Sequence, residues 1–132
     1  MQGIDVNYID VRKTNPIFDQ YTPLLAASNT FLEENPAIAK AFVEATAKGY
    51  EHAMEYPEES ADILLKYAPE IDRKLAVKSQ EYLAGEYQSD SPQWGYMDEA
   101  RWTRFFDWAY QNGIIEKDLQ NAGFTNDYLP ER

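Results

Sequence analysis

Three neighbouring side chains, Asp19, Gln20 and Tyr21, set a carboxylate, an amide and a phenol side by side. Such a group can hydrogen-bond a polar ring from its edge while the phenol stacks on its face. Aspartate and glutamine in this position also satisfy backbone groups of turns, and Asn15-Pro16 just upstream marks a turn, so both uses stand open. Trp94 and Tyr96 form a second candidate pair. They lie in GEYQSDSPQWGYM, Gly85 to Met97, whose glycine, serine, aspartate and proline content is that of a loop. An aromatic face there can hold a flat heterocycle or simply pack on the core. Arg12 and Lys13 can meet an anionic ligand or remain solvated charges.

Catalytic chemistry finds little support. His52 is the single histidine, with Glu55 three residues on, and two side chains are too few to close a metal site without others converging. The acid pairs Glu33-Glu34, Glu58-Glu59 and Asp98-Glu99 could serve as paired carboxylates. Each stands at a predicted helix start, where the helix dipole favours negative charge. No nucleophile elbow, phosphate-binding glycine loop or dinucleotide fingerprint is present, and there are no cysteines for thiolate chemistry, disulfides or thiolate metal sites. Hydrolase or transferase chemistry is therefore not expected, so the chain is not read as an enzyme, and no cofactor is called for.

These side chains must be positioned by a mainly helical chain. Val6 to Val11 and Thr22 to Ala27 are the segments with strand character, and they predict a small β element. Ser28 or Asn29 opens a helical turn to Glu34. Asn35, as N-cap, followed by Pro36 at the first helical position, predicts a helix to Tyr56. Pro57 restarts the chain for a helix to Tyr67. Ile38, Phe42, Ala45, Gly49 and Ala53 recur at steps of three and four and predict the inward stripe of the long helix. Asp72 is the predicted N-cap of a helix ending at Gly85 with Leu75, Ser79, Tyr82 and Leu83 inward. Asp98 caps one from Glu99 to Asn112, with Trp102, Phe105, Phe106 and Ala109 inward and Gly113 as its stop. A short helical end is expected near Asn126 to Leu129.

The wording of several segments goes beyond what packing requires. Asn35 to Ile71, with its Asn-Pro start, Lys48-Gly49-Tyr50 and the Pro57-Glu58-Glu59 step, resembles the C-terminal part of substrate-binding proteins of ABC transporters. The resemblance is greatest to the branch of thiamine-pyrimidine-precursor binders, near those for sulfonate, nitrate and taurine. Tyr21 to Ser28, Trp94-Gly95 and Gly123 to Leu129 match as well, so it runs from about Tyr8 to Leu129. It implies the C-terminal part of a type II periplasmic-binding-protein α/β fold. Residues 1–28 would be crossing strands between lobes and residues 29–132 a helical segment. It also implies a ligand held between two lobes, close to Asp19, Gln20 and Tyr21, and an ABC permease as partner.

Composition sets the remaining bounds. Twelve basic against 23 acidic residues give 132 residues a net charge of -11, which leaves no basic face for a nucleic-acid backbone. The apolar runs are too short for a membrane span. An extracytoplasmic location follows from the resemblance. The other class compatible with the residues is a free-standing acidic helical domain that meets a basic partner. A two-lobed protein needs about twice this length, so the resemblance implies a fragment whose exposed apolar faces favour a homo-oligomer.

Overall fold

The computed structural model describes Asp5 and residues 7–131. They form α1 (Val11–Thr14), a 3-10 turn (Pro16–Phe18), α2 (Asn29–Glu34), α3 (Pro36–Glu55), α4 (Pro57–Leu65), α5 (Arg73–Ala84) and α6 (Glu99–Gln111). Two compact units result. One comprises residues 1–25 and 97–124, the other residues 26–96 and 125–132.

In the unit of residues 26–96 and 125–132, local chemistry sets the helix ends. The Ser28 hydroxyl accepts from the Phe31 N–H at 3.1 Å and opens α2. Asn35 ends α2 through its own N–H to the Phe31 carbonyl, and the next residue is already Pro36 of α3. The Asn35 side chain makes no cap bond, so the expected N-cap is one by position only; its conformation is set by the helix it closes. Tyr56 repeats the arrangement between α3 and α4, at φ -125° and ψ 65°, outside the helical region as a residue before proline tends to be. Asp72 caps α5 by accepting from the Leu75 N–H at 2.9 Å. Gly85 ends α5 with φ -75°, without using the left-handed conformation open to glycine.

The core of this unit is made of alanine. Ala39 and Ala47 of α3, Ala61 of α4 and Ala76 of α5 are its buried residues, with Val43, Tyr50, Met54, Val77 and Gln80 half-buried beside them. The inward faces of α3 and α5 therefore differ from the expected ones by one residue, a rotation of about 100°. Ile38 and Phe42 are each 59% exposed, and Leu75 and Tyr82 are also outside. Two contacts fix that phase. The Gln80 amide donates to the Ala53 carbonyl at 3.4 Å, and the Tyr87 hydroxyl donates to Gln80 Oε1 at 3.0 Å. Small side chains then let the helix backbones approach closely, which no face carrying isoleucine or phenylalanine would permit. At the surface, Arg73 grips Asp62 with Nε and Nη2 at 2.7 and 2.8 Å and reaches Glu58 at 2.8 Å, tying the start of α5 to α4. That guanidinium holds the Asp62 carboxyl below the usual aspartate range.

The unit of residues 1–25 and 97–124 is organised by aromatic rings on α6. Asp98 caps the helix by accepting from the Arg101 N–H at 2.8 Å, and Gly113 leaves it at φ +69° as a left-handed terminator. Trp102 and Ala109 are buried, as the periodicity predicts, and Phe105 and Phe106 are half-buried. Trp102 lies 4.4 Å from Phe106 and 5.2 Å from Phe124, ring centre to ring centre. Its indole N–H donates to the Ala122 carbonyl at 3.1 Å. Phe18 meets Trp108 edge-on at 5.6 Å.

The small β element does not form among the described residues. Val11 belongs to a helical turn because Asp10 accepts from the Arg12 N–H and pairs with its guanidinium, both at 3.1 Å. Leu24 and Leu25 are half exposed, and Pro23 supplies no N–H. A strand exists only through the ladder it makes with a neighbour, and none is present here; Val6 lies outside the described residues. Asn126 to Leu129 is a single turn closed by the Leu129 N–H on the Asn126 carbonyl at 3.2 Å, not a helix. No described helix is long and apolar enough to cross a membrane.

Candidate functional site

Asp19, Gln20 and Tyr21 follow directly on the 3-10 turn, which Asn15 caps by accepting from the Ile17 N–H at 3.0 Å. Asp19 closes the turn with its own N–H on the Pro16 carbonyl at 3.1 Å. Its carboxylate is thereby turned toward α6, where it pairs with Arg101 Nε at 3.2 Å. The Tyr21 hydroxyl accepts from the Asp98 N–H at 2.7 Å, using one of the unpaired donors at the start of α6. With the phenol oxygen held, the Arg101 guanidinium lies 5.3 Å from the centre of the Tyr21 ring, within cation–π range. Arg101 therefore covers one face of the ring expected to stack on a ligand, and the opposite face is the one Tyr21 can offer.

Gln20, Tyr21 and Arg101 border a cavity of about 60 Å3. Gln20, Tyr21 and Arg101 supply its polar edge, and Leu24, Phe105 and Phe106, with Trp102, its apolar wall. Ligand pockets for small molecules measure about 300–1,000 Å3. The cavity is thus too small to enclose such a molecule by itself. A wall of this kind, apolar on one side with fixed donors and acceptors along the rim, suits a flat ring with a polar edge.

Arg101 escaped the reading of the sequence, being far along the chain from its partners. One signal was there: an arginine next to Trp102 on an otherwise aromatic stripe needs an acceptor. Trp94 and Tyr96 belong to the other unit. Trp94 stacks on Tyr50 at 4.7 Å, and Tyr87 meets the same Tyr50 edge-on at 4.9 Å. Gly95 between them has φ +83°, and a Cβ there would come within 3.0 Å of Leu129. Both aromatics are half-buried. His52 leans on Tyr56 at 5.0 Å with Glu59 3.9 Å from its Nε2. Glu55 instead accepts from the Tyr56 hydroxyl at 2.7 Å, which pushes the phenol pKa up. No set of three metal-ligating side chains converges among the described residues. Arg12 is engaged with Asp10 at 3.1 Å.

The family profile described as NMT1/THI5 like matches residues 1–60, the stretch that holds Asp19, Gln20 and Tyr21. Two curated proteins are similar along most of the chain. The riboflavin-binding protein RibY of Chloroflexus aurantiacus is 27% identical over 138 aligned positions, covering 98% of this chain and 38% of that protein. The formylaminopyrimidine-binding protein of Halalkalibacterium halodurans is 27% identical over 126, covering 89% and 37%. The chain thus spans under two fifths of the length of these relatives. The matches agree with the resemblance seen in the sequence: the chain is similar to substrate-binding proteins of the ABC-transporter type. Both named relatives are binding proteins, which does not favour the alternative of a free-standing interaction domain.

Proposed function

We propose that the chain is the C-terminal part of an extracytoplasmic solute-binding component of an ABC importer, and that it contributes one wall of the site for a small heterocycle. The observation that carries this reading is the constellation of Asp19, Tyr21 and Arg101 beside an aromatic wall, in a chain whose relatives bind riboflavin and a formylaminopyrimidine. Asp19 orients Arg101, and Gln20, Tyr21 and Arg101 hydrogen-bond the polar edge of the ring. Its flat face lies against the phenyl side chains. The other wall comes from a first lobe, and closure of the two around the ligand presents the complex to a permease. Residues 6–12 and 22–28 become crossing strands once that lobe offers them a partner, which completes the type II α/β fold. Trp94 and Tyr96, in the other unit, stand apart from this wall as a separate candidate for an aromatic contact. The role is capture without turnover.

A melting-temperature screen of the full reading frame against riboflavin, a formylaminopyrimidine and an alkylsulfonate tests the proposal. A ligand that binds only the folded state raises the midpoint by mass action. One of the heterocycles should do so in a saturable way, with the response lost in Tyr21→Ala at unchanged helicity. An undiminished response in that variant removes the site, and no response to either heterocycle removes the function. The 132-residue chain on its own should self-associate through exposed Ile38 and Phe42; a monomer by light scattering that binds no hydrophobic dye would contradict this.

A further inference from the structure

The second concavity of the aromatic unit lies on a different face of α6. Thr103, Asp107 and Tyr110 line it from the helix, and Asp118, Gln120 and Asn121 from the loop that follows. It is an open surface depression of about 400 Å3, and every residue lining it carries a polar group. The loop wall is held in place. Asp118 accepts from the Gln120 N–H at 3.0 Å, and the Thr103 hydroxyl donates to Asn121 Oδ1 at 3.3 Å. Gln120 has φ +47°, a left-handed conformation that costs energy for a side-chain-bearing residue and recurs at functional sites. Asp107 is half-buried, and its carboxylate makes no hydrogen bond or ion pair among the described residues.

The chemistry of the lining narrows the ligand. Two carboxylates with no lysine or arginine among them repel phosphates and carboxylates. Organic cations are gripped by several aromatic faces, and Tyr110 is the one ring here. Metal ions need more ligating groups than converge. Vicinal hydroxyls, each both donor and acceptor, match carboxylates and amides that accept in pairs and donate. The Tyr110 ring suits the C–H face of a sugar. We propose that this groove, formed by Asp107 and Tyr110 of α6 facing Asp118, Gln120 and Asn121, binds a neutral polyhydroxylated molecule, a sugar or sugar alcohol, independently of the Tyr21 and Arg101 wall.

Backbone amide shifts of the isotope-labelled chain are followed during titration with ribitol and with D-glucose, with choline and inorganic phosphate as comparison probes. Expected are saturable shifts for at least one polyol, confined to residues 103–111 and 118–121. Asp107→Ala should weaken that binding about tenfold or more, as loss of a hydrogen bond to a charged group does, and Tyr21→Ala should leave it unchanged. Linear shifts with both polyols, saturation by choline or phosphate alone, or full affinity in a folded Asp107→Ala each overturn the proposal. Should that variant not fold, the location of the wild-type shifts decides: saturable shifts elsewhere overturn it equally. A failed heterocycle screen leaves the outcome here untouched, because the two faces of α6 are read separately.

Discussion

The two units solve the burial problem in opposite ways. In residues 26–96 and 125–132, three helices meet at Ala39, Ala47, Ala61 and Ala76, and the large apolar side chains Ile38, Phe42, Leu75 and Tyr82 remain outside. In residues 1–25 and 97–124, Trp102 is buried among phenylalanines with its indole N–H satisfied by a carbonyl. One core depends on the absence of side-chain volume, the other on its presence. The wall of the candidate ligand site is the edge of the second kind, where Phe105, Phe106 and Trp102 are already committed to packing. A binding surface continuous with a core has its side chains held by the packing behind them.

That contrast can be broken from either side. Trp102→Ala should cost about 3–5 kcal/mol of stability, as truncations of large buried aromatics do, and should erase much of the near-ultraviolet dichroism while the far-ultraviolet helical signal largely persists. Ala61→Leu reverses the test. Ala61 is 2% exposed, and adding methylenes to a filled seam costs about 1–3 kcal/mol. Here the helical signal should melt earlier, with the surroundings of Trp102 altered less than those of Trp94, which stacks on Tyr50 of α3. Gly123→Ala sharpens the aromatic side: φ is +94° and a Cβ would lie 3.4 Å from Trp102. The backbone conformation alone costs about 1–2 kcal/mol for a residue with a side chain, read as a lower melting temperature.

The smallest effect is electrostatic and belongs to the alanine unit. Arg73 depresses the Asp62 pKa below its ordinary 3.8. A depressed carboxyl stabilises the fold above its unfolded pKa, and that contribution disappears as pH falls through the lowered folded value. Arg73→Gln should therefore melt slightly below the parent at neutral pH, and the gap should close below pH 3.8. Because the pair is exposed, added salt should shrink the gap as well. A difference that persists in acid would assign the role of Arg73 to packing of its stem.

Helix starts were legible because they are local: Ser28, Asp72 and Asp98 bond to backbone three residues on, and proline fixes α3 and α4. The phase of α6 was legible too, since its bulky residues fall on one stripe. The phases of α3 and α5 were not. Alanine is spread around α3 so evenly that periodicity weights Ile38 and Phe42 over Ala39 and Ala47, whereas close helix contact rewards small volume. Strand character at 22–28 was a statement about side chains, and no sequence window shows whether a pairing partner exists. At the candidate site, Asp19, Gln20 and Tyr21 could be picked out as neighbouring polar groups. The guanidinium that joins Asp19 and Tyr21 arrives from α6, through a tertiary contact that adjacency cannot reveal.

Asn35 and Tyr56 each serve as the sole residue between consecutive helices, with proline immediately following. No slack exists at either joint. Gaining or losing one residue there would turn the following helix by about 100° and slide it about 1.5 Å, carrying Ala61 or Ala47 away from the seam. Length variation among related chains should accordingly gather in residues 66–72 and 85–97, leaving the spacing from Ser28 to Leu65 invariant.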